Sequence, residues 1–232
     1  MKTLFITVLT SLFFLISIVP SSAQLEKGPS SSQTENEIFT SKNPLVLMDF
    51  NYREPVTKYG GMWGIFDFNP HDRNAFCRSS FAKDKDLHKK GYYLKVTYDV
   101  DSPQAAFNGV WIKLNGIDLS KFSAISMKVR GDSEKGFTDF FKIELKDKTS
   151  KIEYYVEDIT DQWKEFILPF EEFEGTVEDI DWKNMIEFIP CVFEDWRFKQ
   201  KTGRLYIDDI QLIPKEGEKV LLKDIIGNKK KS

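Results

Sequence analysis

The sequence is poor in most of what metal, nucleophilic and phosphate chemistry is built from. Of 232 residues only two are histidines, His71 and His88, both in loop-like polar stretches. No Ser-His-Asp arrangement is available. Neither His nor Cys spacing matches a zinc site, and FNPHDRNAF around His71 reads as a polar loop. No glycine-rich phosphate loop follows a strand. Positive charge is not in surplus: the formal net charge is −3, which disfavours a nucleic-acid partner. Helical periodicity is almost absent, so a parallel sheet with crossover helices is excluded. The only cysteines are Cys77 and Cys191. In an exported chain they have two readings: a bridge closing a long loop, contributing ~4 kcal/mol, or two small buried hydrophobes.

Aromatic and strand-forming residues are abundant instead, with 20 Phe, 8 Tyr and 5 Trp. The first residues, MKTLFITVLTSLFFLISIVPSSAQ, place a lysine before an apolar run and end on small residues after Pro20. This reads as a secretory signal over 1–23, cut after Ala23; the alternative is an uncleaved anchor. The expected location is outside the cell or the periplasm, with no stable membrane insertion after cleavage. Residues 24–43 are polar and Ser-rich, a flexible leader. A single domain is expected over 44–214. The tail, 215–232, is read as polar and partly disordered, with a weak helical turn around Val220 to Ile226 and a solvated Lys229–Lys231 end.

Nine strand-like runs recur between turn signals: 45–50, 92–100, 109–114, 124–131, 140–147, 152–158, 164–170, 185–195 and 204–213. They predict an all-β sandwich or barrel. Alternation sorts some faces. Phe141, Ile143 and Leu145 share one side of FFKIELK and Lys142, Glu144 and Lys146 the other; Val110, Ile112 and Leu114 leave Trp111 and Lys113 outward. A tryptophan on an outward sheet face is unusual. RLYIDDIQLIP poses the opposite problem. Asp208 and Asp209 are adjacent in a strand, so one of the two should point to the core, where an unpaired carboxylate is costly.

Taken in order, LMDFNYRE with Gly60-Gly61 and Trp63, GYYLKVTYDV, GVWIKLNGIDLSKFSAISMKVRGD, FFKIELKD, YYVEDITDQWKEFILPFEEF, DWKNMIEFIPCVFEDW and TGRLYIDDIQL resemble a galactose-binding-like jelly roll. The resemblance is to family 11 carbohydrate-binding modules and the related domain of complex I assembly factors. It implies an antiparallel β-sandwich without catalysis, and a calcium site where the first and last strands meet, drawing on Asp49 or Asn51 from the first and Asp208 or Asp209 from the last. By analogy, the carbonyls of Gly91 and Tyr92 would join them. An exposed strand end binding nothing is the other reading of those aspartates. Acidic pairs occur by chance in so acidic a chain and do not argue for a glycosidase. Sugar rings stack on aromatics and hydrogen-bond to charged groups. The candidates for a poly- or oligosaccharide are Trp111, Lys142 and Glu144 from the alternation, Trp63 and Arg78 from loops between the first strands, Tyr154, and Glu194. The rival function is that of a protein-interaction or assembly factor using the fold without sugar.

Overall fold

The computed structural model describes residues 37–51, 53, 57, 61–68, 72–83, 91–175, 177–194 and 197–225. The signal sequence and most of the leader lie outside them. In chain order the strands are β1 (Ile38–Phe39), β2 (Leu45–Met48), β3 (Trp63–Asp67), β4 (Phe76–Ala82), β5 (Tyr93–Asp99), β6 (Phe107–Ile117), β7 (Phe122–Gly131), β8 (Phe141–Lys146), β9 (Lys151–Val156), β10 (Lys164–Pro169), β11 (Glu174–Gly175), β12 (Met185–Glu194), β13 (Thr202–Pro214) and β14 (Val220–Leu221), followed by the single helical turn α1 (Leu222–Ile225). Each of the nine expected runs forms a strand. The pairing is antiparallel in two six-stranded sheets, β10-β7-β13-β5-β4 with β2 on β13, and β11-β9-β8-β12-β6-β3. Their inner faces share one core, with Leu94, Val96, Ile125, Val129, Leu205 and Ile207 from the first sheet and Val110, Ile112, Phe141, Ile143, Ile152 and Phe188 from the second. This is the β-sandwich the alternation predicts.

The described residues flanking 44–214 also take part in the fold, and α1 is the helical turn expected around Val220 to Ile226. β1 pairs with β14, and Phe39, Val220, Leu222 and Ile225 are buried. Residues on both sides of 44–214 thus contribute to the buried core. Two short apolar pairs far apart in sequence cover one another, which neither segment could do alone.

The adjacent aspartates are resolved by a β-bulge. Along β13 the core side chains are Leu205 and Ile207, then Ile210 and Leu212, so the inward parity changes between them. The register against β7 slips by one residue from Asp208 to Gln211, and Asp209 takes φ +47°. One extra residue lets both carboxylates stay off the core while the apolar residues on either side remain in it. Aspartate tolerates that left-handed conformation better than most side chains. Lys128 Nζ lies 2.7 Å from Asp209 Oδ2, and Asp208 Oδ1 accepts the Asp209 N–H at 2.8 Å.

A second bulge shapes the other sheet. Ile189 faces Glu144 and Val192 faces Lys142, so β12 spends three steps on two of β8. Pro190, which cannot donate to a ladder, sits in the extra step. Phe188, Cys191 and Phe193 are thereby buried in the core, while Ile189, Val192 and Glu194 line the opposite face. Both cysteines are buried as free thiols, with burial pushing Cys77 up to about 12. The small-hydrophobe reading holds for them.

Candidate functional site

The outward face of the second sheet carries a groove of about 650 Å³. Its central part is charged. Lys142 and Glu144, two apart on β8, share a face by alternation, yet each is less than a tenth exposed. The Lys142 ammonium has three hydrogens to donate, and three carboxylates surround it: Glu194 at 2.7 Å, Glu144 at 3.1 Å and Glu153 at 3.5 Å. Glu144 in turn receives Lys146 and Lys151, both at 2.9 Å. Glu187 on β12 joins through Lys146 at 3.6 Å and through a hydrogen bond from Lys113 on β6. Antiparallel register dictates these meetings, since Glu187 faces both Lys113 and Lys146, and Glu153 faces Glu144.

The network fixes charge. Burial alone would raise the Glu144 pKa, but hydrogen bonds from Lys146, Lys151 and Lys142 outweigh it and bring it down to about 2. Burial works against the Lys142 ammonium too, and its bonds to Glu194 and Glu144 hold its pKa well above the usual lysine value. A glycosidase needs a general acid with a raised pKa. Glu144 is driven the other way, so it is ionised at neutral pH and suited to accept hydroxyl hydrogens.

At the β3–β6 end the groove is aromatic. Trp111 on β6 faces Gly64 on β3, and Phe66 on β3 faces Gly109 on β6. Trp111 Nε1 donates to the Ile65 carbonyl at 3.1 Å, and Lys113 Nζ stands 5.4 Å from the indole centroid. Phe107, which is 39% exposed, tilts against Phe66 at 6.4 Å and stacks on Phe68 at 4.4 Å. At the β9 end Tyr155 faces Lys142, with Arg197 4.2 Å above its ring.

Of the seven side chains offered for sugar, the structure gathers Trp111, Lys142, Glu144 and Glu194 into this groove. The other three lie elsewhere. Trp63 is in β3 rather than a loop and faces the core, edge-on to Phe50 at 5.8 Å and Phe81 at 5.7 Å. Arg78 is in β4 of the first sheet, paired with Thr97, its guanidinium over Phe76. Tyr154 faces Ile143 and packs on the core beside Phe173 at 5.5 Å. Its neighbour Tyr155 has the groove parity. Ile152 and Val156, both fully buried, carried the signal: they put Tyr154 inward and Tyr155 outward. Phe66, Phe107 and Lys151 were also missed, whereas the alternation already puts Lys146 on this face.

The calcium candidates each have one side-chain oxygen engaged by a neighbouring N–H group or ammonium. Asn51 Oδ1 accepts the Tyr92 N–H at 2.9 Å, Asp49 Oδ1 accepts the Asn51 N–H at 3.3 Å, and Asp209 already faces the Lys128 ammonium. Among the described residues no group of three or more Asp, Glu, His or Cys side chains is placed to hold a metal ion. Calcium wants six to eight converging oxygens, and these contacts leave the second carboxylate oxygens of Asp49, Asp208 and Asp209 and the backbone carbonyls as the donors to be tried. Chelation tests the site: an unchanged melting temperature would leave these carboxylates without a metal-binding role. A fall of several degrees on chelation, reversed by added calcium, would assign them that role.

No family model matches the chain, and no curated protein matches it. Solved structures match in fold. The family 11 carbohydrate-binding module of a cellulosomal cellulase of Clostridium thermocellum superposes with a TM-score of 0.50 at 17% identity, over 67% of this chain and 89% of that one. The family 11 module from the same organism in complex with a β-1,3-1,4-mixed-linked tetrasaccharide gives 0.51 at 18%, over 67% and 91%. An exo-β-agarase gives 0.54 at 13%, over 75% of this chain and 25% of that one. The likeness is one of fold: the chain has the antiparallel β-sandwich fold of the family 11 carbohydrate-binding modules.

Proposed function

We propose that this chain is an exported, non-catalytic carbohydrate-binding protein that seats a poly- or oligosaccharide in the groove over β9, β8, β12, β6 and β3. One observation carries the reading. Trp111, Phe66 and Phe107 line the same groove as a set of ion-paired carboxylates and ammonium groups. The rings suit the apolar faces of sugars, and the charged groups suit their hydroxyls. Because the charges already hold one another in place, little ordering remains to be done on binding. The family 11 module of like fold seen with a tetrasaccharide supports this choice of ligand class. Export rests on the apolar segment of residues 1–23.

A glycan array probed with the mature protein tests the proposal. Binding to at least one neutral or charged glycan series is expected; an array without a hit overturns it. The assembly-factor reading draws on Met62, Ile65, Phe68 and Phe107, large apolar side chains 39% or more exposed on or near β3 and the start of β6. Under it, the array stays blank and these four residues govern association with a protein.

A further inference from the structure

Glycine is a poor strand residue, since it contributes no side chain to the sheet and loses more chain entropy on folding than any other. Yet β3 and β6 each place one opposite an aromatic ring, in crossed order: Gly64 faces Trp111 and Phe66 faces Gly109. Neither glycine has the positive φ that would require the residue for its backbone. The space above them requires it. A Cβ on Gly64 would lie 2.8 Å from Trp111 Cζ2 and 3.1 Å from Cε2, and its three nearest neighbours all belong to the indole. A Cβ on Gly109 would lie 2.9 Å from Phe66 Cε1. Each ring is therefore laid across the neighbouring strand, and the Trp111 indole is fixed there by its bond to the Ile65 carbonyl.

We propose that Gly64 is a positioning residue for sugar recognition, holding the Trp111 indole down as a stacking platform, and that Gly109 does the same for Phe66. The proposal rests on the carbohydrate-binding reading above. A methyl group at Gly64 lifts the indole, breaks its N–H bond and removes the surface a sugar would cover. Gly109 is a poor site for a test, because its Cβ would also fall 2.1 Å from the Cys191 carbonyl oxygen, which belongs to the backbone.

The experiment uses the mature protein and the best glycan from the array. Gly64→Ala is expected to weaken binding about tenfold, the scale of one good aromatic contact. The melting temperature should move little, and the Trp111 indole N–H should shift and exchange faster by NMR. Wild-type affinity in Gly64→Ala overturns the positioning role and leaves the carbohydrate reading standing. A wild type that binds no glycan overturns both. Should Gly64→Ala fail to fold, the wild-type spectrum decides: a slowly exchanging Trp111 N–H is expected, and one exchanging as fast as a free indole overturns the proposal.

Discussion

Trp111→Ala is expected to lower glycan affinity by about thirtyfold or more, the effect of removing a central aromatic anchor worth about 2 kcal/mol. The indole lines the groove, lies against β3 and is held by the Ile65 carbonyl, so it meets a ligand already oriented. Its truncation removes the stacking surface and leaves Gly64 uncovered. The fold should survive, because the core face of β6 is carried by Val110 and Ile112, which are fully buried. Isothermal titration gives the affinity, and far-UV circular dichroism confirms the sheet. Unchanged affinity would place the sugar elsewhere.

Lys142→Met is expected to cost about 3 kcal/mol of stability, the low end of the range for breaking a buried ion pair, because the groove is open to water on one side. Glu194 loses the ammonium 2.7 Å away, while Glu144 keeps Lys146 and Lys151. For a domain of this size that corresponds to a fall in melting temperature of about 10 °C. The pH dependence follows from the same contacts. Glu144 has a depressed pKa, so its contribution is present above its ordinary value of 4.5 and is lost as pH falls through about 2. Lys142 has a raised pKa, so its contribution is full below its ordinary value of 10.5 and is lost as pH rises through its folded value. As far as these two groups set it, the network is whole between 4.5 and 10.5. Removing Lys142 weakens the hold on Glu144, and acid unfolding should begin at higher pH than in the wild type. An unaltered acid limb with an unaltered melt would mean that the network contributes nothing.

The sandwich was legible because its central strands alternate cleanly. Phe141, Ile143 and Leu145 leave no doubt about which side of β8 is wet, and Val110 and Ile112 do the same for Trp111. Parity inside one strand is local information. Which strand lies beside which is not, and that kept Lys113 and Glu187 from being seen as a pair until β12 was found between β8 and β6. Trp63 and Arg78 were assigned to loops because WGIFD and FCRSSFA carry glycine and polar residues in their interiors, as edge strands of their sheets do. Asp208 and Asp209 broke the alternation for a reason the sequence shows only in retrospect. An even number of polar residues between Ile207 and Ile210 is what an inserted residue looks like.

The most direct measurement compares the wild type, Trp111→Ala and Arg78→Ala against the same glycan by titration calorimetry. Trp111 lines the groove, and Arg78 lies in the other sheet. Binding by the wild type, its loss in Trp111→Ala and its retention in Arg78→Ala are predicted. Equal binding by all three, or loss only in Arg78→Ala, would contradict the assignment of saccharide recognition to this groove.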